Sequence, residues 1–309
     1  MSRVSRSAAA LAALAAALVM AMMSPGVAGA GLTGGPHTDG TIVSTFEPGS
    51  FPESVALADG IPFVSLGFAG EIRRVTNGST MVVGTVDLGG SSLLTGVTVV
   101  GDRLYFARAS FDGDGWLYSL PVAAENATPT LVTTFPDSFP NGLAVRDGLL
   151  YVSDSRGGRV FTVDPVSGET ATWCQDPALA GGKALGINGI TFHNGQLYAV
   201  VAATGEIMTI AGGVDGCTVS TVVRSNQLVT GDGIAFGPDG LLYVTVNQSN
   251  KLVAVDVATG ALRTIAGRTN GLSYPTQTVF GTGVMYLTNG ALANGAATLM
   301  RFPLDSASR

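Results

Sequence analysis

The chain has 309 residues and a formal net charge of −6, and 46% of its residues are hydrophobic while only 12% are charged. An acidic chain of this kind lacks the basic surface that nucleic-acid phosphates require, so nucleic-acid binding is excluded. Its length would suit two ordinary domains, but all-β barrels and propellers often reach this size as one domain.

The N-terminal segment is expected to direct export. Two arginines precede an apolar run at residues 8–23, and small residues follow at 28–30. This order is typical of a secretory signal peptide covering residues 1–30, with an uncleaved N-terminal anchor as the alternative. We expect residues 31–40 to form a flexible arm and residues 41–309 to form a single domain. The mature protein is expected to be a soluble monomer, secreted or periplasmic, with no membrane attachment.

An apolar segment that contains an aromatic residue returns six times, at spacings of 42 to 47 residues. The six aromatics are Phe63, Tyr105, Tyr151, Tyr198, Tyr243 and Tyr286. In the third copy, apolar segments at 141–145, 149–153, 159–163 and 170–173 alternate with turn-forming residues. A period of about 45 residues with four strands is typical of a propeller blade, whereas a helical repeat would show apolar residues at helical spacing. The sequence therefore predicts an all-β, six-bladed β-propeller with four antiparallel strands per blade.

The sequence also predicts how the ring closes. Residues 41–53 resemble residues 129–141, which in the second copy contain the outer strand and the loop to the next blade. The sixth copy ends without an outer strand of its own. We therefore expect the N-terminal strand, residues 41–46, to complete the last blade and to remove an exposed sheet edge.

Cys174 and Cys217 are the only cysteines in the chain. Export would permit a disulfide, and both residues fall in outer strands of neighbouring copies. A disulfide requires Cα atoms within about 7 Å of each other. The sequence does not determine this distance, so the pairing stays open.

A different polar residue stands ten or eleven positions before each repeated aromatic, and these six residues are Glu53, Thr95, Asn141, Asn188, Asp232 and Thr276. Each follows a connecting loop and opens the innermost strand, so in a propeller the six side chains converge on the central axis. Two carboxylates brought together repel each other and lose hydration, so a cation bound between them and the two carboxamides would compensate this cost. Ca²⁺ suits them best because it prefers hard oxygen ligands, whereas Zn²⁺ prefers nitrogen or sulfur. The alternative is that these residues only cap strand starts with local hydrogen bonds.

Four of these residues stand in segments that resemble the senescence marker protein and gluconolactonase family, which is related to diisopropyl fluorophosphatase and paraoxonase. The segments are FPESVALADG around Glu53, FPNGLAV around Asn141, INGITF around Asn188 and GDGIAFGPDGLLYV around Asp232. The resemblance extends over residues 41–303 and depends on order and spacing. It implies a calcium-dependent hydrolase of lactones, esters or phosphoesters, with one calcium ion held on the axis by these four residues.

Asp232 is the candidate general base or nucleophile, acting on a small-molecule substrate that calcium polarises. Sugar lactonases of the family often carry Arg two residues before the blade-three Asn, but this chain has Phe139 there. That difference argues against a charged or highly hydroxylated sugar. His193 is expected to be a surface residue, at the far end of the innermost strand from Asn188.

Residues beside the axial set are expected to contact substrate, and they are Thr95, Thr276, Phe139, Asp112, Asp154 and Arg156. For Asp112, a solvated turn is the alternative. Two other functions stay open for the chain. One is a non-catalytic secreted propeller with a structural metal, and the other is a propeller lyase or quinoprotein dehydrogenase, which would need a histidine or cations at the axis.

Overall fold

The structure is a computed structural model that describes residues 39–213, 216–292 and 295–304. The signal peptide expected at 1–30 and most of the expected arm lie outside the described residues. No helix in the described ranges is long and apolar enough to cross a membrane.

The described residues form six sheets of four antiparallel strands. Each sheet contains four segments that are consecutive in the chain, except that the last sheet takes its fourth strand from the N-terminus. Blades 1 to 3 consist of β2 to β13, which span Pro52–Ala58, Ile61–Leu66, Glu71–Thr76, Ser79–Thr85, Ser92–Val100, Arg103–Ser110, Gly115–Pro121, Thr130–Phe135, Pro140–Arg146, Leu149–Asp154, Arg159–Val163 and Thr170–Gln175.

Blades 4 to 6 have the same organisation. They consist of β14 to β24 and β1, which span Ile187–His193, Gln196–Val201, Glu206–Gly213, Gly216–Arg224, Gly231–Phe236, Leu242–Val246, Lys251–Val255, Leu262–Ala266, Pro275–Gly281, Val284–Asn289, Thr298–Pro303 and Thr41–Thr45. Short 3-10 helices at Pro177–Leu179, Asn226–Leu228 and Arg268–Asn270 lie in the connections after blades 3, 4 and 5. The predicted six-bladed propeller is confirmed.

The ring closes through the N-terminal strand, as the sequence predicted. β1 pairs antiparallel with β24, and Thr41 stands opposite Arg301. This pairing gives the last blade its fourth strand and covers an edge that would otherwise present unpaired backbone groups. A disulfide between Cys174 of β13 and Cys217 of β17 links the outer strands of blades 3 and 4, with a Cα–Cα distance of 5.3 Å.

The core lies between blades, where the faces of neighbouring sheets pack together. One such cluster joins Tyr105, Leu117 and Phe135 of blade 2 to Leu150 and Phe161 of blade 3. The repeated aromatics are buried or half-buried in these interfaces. Each repeat therefore depends on its neighbours to bury its apolar faces.

Candidate metal centre on the propeller axis

The six variable polar residues all lie at an irregularity in the innermost strand of their blade. The pairing of that strand with the second strand shifts register across each of them, for example between Pro140 and Leu143 around Asn141. The shifts around the other five residues are equivalent. A bulge of this kind releases a residue from the ladder and redirects its side chain. All six residues are buried.

Close backbone approach near the axis depends on glycine. A Cβ atom on Gly142 would lie 2.7 Å from the carbonyl oxygen of Asn188, and one on Gly189 would lie 2.4 Å from that of Asp232. Both contacts are too short for a side chain, so these positions require glycine. The glycines follow Asn141 and Asn188 directly, and they let the innermost strands of blades 3, 4 and 5 approach one another where the polar residues stand.

Glu53 and Asp232 bring two carboxyl groups together in the buried centre. Burial, and then the charge of Asp232, raise the pKa of Glu53 well above its usual range. Burial likewise raises the pKa of Asp232 to about 7, against the lowering effect of hydrogen bonds from Asn247 and Asn188. The Oε2 atom of Glu53 is buried and has no hydrogen-bond partner among the residues that the structure describes. A buried carboxylate oxygen without a partner is costly unless a cation or a proton compensates it.

The two carboxamides have partners that orient them. The Nδ2 atom of Asn141 donates a hydrogen bond of 3.2 Å to Ser155 Oγ, and Ser155 Oγ donates in turn to the carbonyl oxygen of Ile187 at 2.6 Å. The side-chain oxygen of Asn141 is then the atom left for a cation. Asn188 lies close enough to lower the pKa of the Asp232 carboxyl group, and Asn247 Nδ2 donates to Asp232 Oδ2 at 3.2 Å.

Thr95 and Thr276 have a different role, because their side chains form hydrogen bonds between neighbouring blades. The Thr95 hydroxyl donates to the carbonyl oxygen of Pro140 at 2.9 Å, which ties blade 2 to blade 3. The Thr276 hydroxyl donates to the carbonyl oxygen of Pro52 at 2.8 Å, which ties blade 6 to blade 1. Each hydroxyl proton is therefore engaged within the protein.

The donor set on the axis fits calcium. It consists of hard oxygen atoms from two carboxylates and two carboxamides, the ligand types that Ca²⁺ prefers. The two carboxylates would balance the charge of the ion, and an ion would satisfy the unpaired Oε2 atom of Glu53. Within the described ranges, no group of three or more His, Cys, Asp or Glu side chains is placed to hold a metal ion.

Three residues expected to contact substrate have their polar atoms engaged elsewhere. Asp154 is fully buried, lies 2.7 Å from Arg159 Nη2, and accepts a hydrogen bond of 2.8 Å from the backbone nitrogen of Phe139. Arg156 donates to the carbonyl oxygens of Gly113 and Ser110. Asp112 accepts hydrogen bonds from two serine hydroxyls at the protein surface, as the solvated-turn alternative predicted. These contacts hold the backbone around Phe139, Gly113 and Ser110 in place. They also pair the Arg156 guanidinium group with backbone oxygens.

Phe139 and His193 lie at opposite ends of the innermost strands. Phe139 is buried two residues before Asn141 and packs against Phe111, with ring centroids 5.4 Å apart. His193 ends β14, at the far end of the strand from Asn188, and stacks on Phe236 with a centroid distance of 3.9 Å. His193 is therefore a packing residue at the end of its blade.

The sequence alone did not assign Ser155 and Asn247 to the centre; both follow the second strand of their blade. Their signal was available in the repeat, since Ser155 follows Tyr151 and Asn247 follows Tyr243 by four residues. The corresponding position after Phe63 is Gly67. Comparing this position across the six copies would have shown that polar residues stand here in blades 3 and 5, next to Asn141 and Asp232.

Comparisons with known proteins support the fold and leave the family open. No family model matches the chain, and the search of curated proteins finds no significant match. Solved structures do match. An oxidoreductase (glucose dehydrogenase) from Thermus thermophilus has a TM-score of 0.68 and 17% identity over 85% of this chain and 99% of its own.

Two other matches represent different chemistries. The PQQ-bound aldose sugar dehydrogenase from Streptomyces coelicolor has a TM-score of 0.63 and 16% identity, covering 87% of this chain and all of its own (100%). Virginiamycin B lyase from Staphylococcus aureus has a TM-score of 0.57 and 14% identity, covering 84% and 97%. At these identities the likeness shows the fold alone. These three neighbours are enzymes, but a nidogen/laminin complex also matches, with a TM-score of 0.56 and 15% identity, and the gluconolactonase family specifically is not shown.

Proposed function

We propose that this chain is a calcium-dependent hydrolase that acts on a lactone, ester or phosphoester. The observation that carries the proposal is the buried pair Glu53 and Asp232 on the propeller axis, with Glu53 Oε2 unpaired and the side chains of Asn141 and Asn188 beside them. This arrangement is costly unless a cation or a proton compensates the carboxylates, and a bound cation would make it favourable. Propeller enzymes with the same fold make an enzymatic role plausible.

Calcium would be held by Glu53, Asn141, Asn188 and Asp232, and when bound it would polarise the carbonyl or phosphoryl oxygen of a substrate. Asp232 either attacks the substrate directly or takes a proton from an attacking water molecule. Asn247 orients its carboxylate through its side-chain amide. Hydrolysis of an ester or lactone adds one water molecule across the acyl C–O bond and gives a carboxylic acid and an alcohol.

Export of the protein is part of the proposal. The disulfide between Cys174 and Cys217 supports an oxidising compartment, in line with the N-terminal segment. Calcium is abundant outside the cytosol in most organisms, and sites for extracellular calcium can be weak.

A non-catalytic binding propeller is the second candidate. It is favoured by one observation, namely that Thr95, Asp154 and Arg156 all make hydrogen bonds within the protein, so that Glu53 and Asp232 are the candidate bases left at the axis. A lyase or quinoprotein dehydrogenase is less favoured, because Arg156 is bonded to backbone oxygens and His193 is stacked away from the axis.

The deciding experiment compares the wild type with Asp232→Asn on a panel of lactones, aryl esters and phosphotriesters, with calcium present and after chelation. We expect calcium-dependent turnover by the wild type and a loss of at least about a thousand-fold in Asp232→Asn. Asp112→Asn is the matched control, because Asp112 lies on the same face and is exposed. Equal turnover by Asp232→Asn and the wild type would disprove the assignment, and the absence of turnover on every substrate would favour the binding propeller.

A further inference from the structure

A second set of six residues precedes the six axial polar residues in the chain. It consists of the residues two positions before each axial residue, namely Phe51, Leu93, Phe139, Gly186, Thr230 and Tyr274. The ring is divided in character. Blades 6, 1, 2 and 3 contribute aromatic or aliphatic side chains, whereas blades 4 and 5 contribute glycine and threonine.

The backbone at this ring is held firmly in place. The carbonyl oxygen of Phe51 accepts a hydrogen bond of 2.7 Å from Gly67, that of Phe139 one of 2.9 Å from Ser155, and that of Tyr274 one of 2.8 Å from Gly290. Phe51 and Tyr274 adopt left-handed backbone conformations, with φ of 58° and 55°. Such conformations are strained for bulky residues and persist only where the surroundings enforce them, often at ligand sites.

Buried polar side chains hold the same backbone segments. Asp154 Oδ1 accepts the backbone N–H of Phe139 at 2.8 Å, and Asn250 Oδ1 accepts that of Tyr274 at 2.8 Å. Gly290 leaves room for the Phe51 ring, since a Cβ there would lie 2.5 Å from a ring carbon. The aromatic side chains of this ring are therefore held rigidly before any ligand arrives.

These aromatics and their neighbours form one apolar cluster beside the axis. Phe51 stacks on Phe68 with centroids 4.9 Å apart and lies 6.0 Å from the ring of Tyr274, while Phe139 packs on Phe111. We call these five residues the aromatic collar. Phe51 and Phe139 are buried at its base, and Phe68, Phe111 and Tyr274 are half-buried, so their rings keep accessible apolar surface.

The collar is continuous with the candidate metal centre. Phe51 and Phe139 stand only two residues before Glu53 and Asn141 in the chain, and burial and the charges of Asp232 and Glu53 raise the pKa of Tyr274. The side of the ring formed by blades 4 and 5 is polar, with Asn247 bonded to Asp232 and a buried hydroxyl on Thr230 that has no partner. A ligand at the axis would thus meet apolar surface on one side and polar groups on the other.

We propose, building on the hydrolase function above, that the aromatic collar binds the apolar part of an uncharged ester or lactone whose carbonyl lies at the axis. Alkyl or aryl substituents pack against Phe68, Phe111 and Tyr274. A polyhydroxylated substrate loses hydrogen bonds to water on this surface without gaining new ones, because aromatic side chains cannot replace them. The collar thus selects against sugar lactones.

Three lactones with the same six-membered ring test this proposal. They are δ-valerolactone, δ-decalactone with its pentyl chain, and glucono-δ-lactone with its hydroxyl groups. We expect kcat/KM for δ-decalactone to exceed that for glucono-δ-lactone by at least about ten-fold, given the value of burying several methylene groups. Phe111→Ala and Phe68→Ala are expected to lower the ratio of δ-decalactone to δ-valerolactone kcat/KM several-fold. Val166→Ala, at a turn that is 94% exposed, is the control and should leave the ratio unchanged.

Binding gives a readout that does not depend on catalysis. The δ-lactam that corresponds to δ-decalactone resists hydrolysis, and its binding to the wild type and to Phe111→Ala can be measured by titration calorimetry. We expect binding by the wild type and binding at least several-fold weaker by the variant. If Phe111→Ala does not fold, as judged by circular dichroism, Phe68→Ala and the wild-type substrate series carry the test.

The outcomes separate this proposal from the hydrolase proposal. Calcium-dependent hydrolysis that favours glucono-δ-lactone would disprove the proposed role of the collar and would leave the hydrolase proposal standing. If Phe111→Ala weakens lactam binding but no lactone or ester is hydrolysed, the collar is a ligand site and the hydrolase proposal is wrong. The absence of both binding and hydrolysis would overturn both.

Discussion

Neutralising Asp232 should stabilise the calcium-free protein at alkaline pH, although it removes the proposed catalytic group. The pKa of Asp232 rises from 3.8 to about 7 in the folded chain. A group whose pKa is raised by folding stabilises the fold at pH values below its unfolded pKa, and this contribution disappears as the pH rises through the folded pKa. At about 1.4 kcal/mol per pH unit, the ionised carboxylate costs up to about 4 kcal/mol at pH 8. Asp232→Asn avoids that cost and keeps a similar shape.

Urea unfolding of calcium-stripped protein at pH 5 and pH 8 measures this effect. We expect Asp232→Asn to be more stable than the wild type by up to about 4 kcal/mol at pH 8 and to differ much less at pH 5, where wild-type Asp232 is mostly protonated. Saturating calcium should reverse the order, because the ion binds the wild-type site more tightly. Asp112→Asn, at an exposed carboxylate, should show no such reversal. A calcium-free Asp232→Asn that is less stable than the wild type at pH 8 would refute the reasoning.

Two further predictions concern the ring itself. Replacing Cys174 and Cys217 with serine should lower the free energy of unfolding by about 4 kcal/mol, as the 43-residue separation of the disulfide indicates, and an unchanged urea midpoint would contradict this. Thr276→Val removes the hydroxyl that joins blade 6 to Pro52 and should cost about 1–3 kcal/mol in the same assay, because Pro52 O and the Thr288 hydroxyl each lose a buried hydrogen-bond partner. Calcium binding should persist in Thr276→Val, and its complete loss would mean that the threonine belongs to the metal centre.

The fold could be predicted from the sequence because its determinants are local and repeated. Each copy contains its own turns and apolar strands, and the strand at 41–46 carries the pattern of an outer strand that the sixth copy lacks. The antiparallel pairing of Thr41 with Arg301 confirms this closure. The disulfide was not predictable, because its formation depends on the distance between outer strands of two different blades.

The axial residues could also be placed from sequence, since the start of each innermost strand faces the same channel. The partners of those residues could not. Ser155 and Asn247 reach Asn141 and Asp232 from the loops after the second strands, and only the three-dimensional register shows which loop residues approach the axis. Asp154 was expected to face substrate, but a buried carboxylate can equally accept hydrogen bonds from the backbone of a loop. In the structure it holds the backbone of Phe139, a role that residue type alone does not reveal.

The most direct test of the axial metal centre is the calcium content of the purified protein, together with its thermal stability before and after chelation. Binding of an ion to the native state alone raises stability as the ion concentration exceeds its dissociation constant. We predict one calcium ion per chain and a large fall in Tm on chelation, and we predict that Glu53→Gln retains less calcium and shows a smaller fall. A wild-type protein that contains no calcium at millimolar concentrations of the ion, with the same Tm after chelation, would contradict the metal centre and the proposed hydrolase with it.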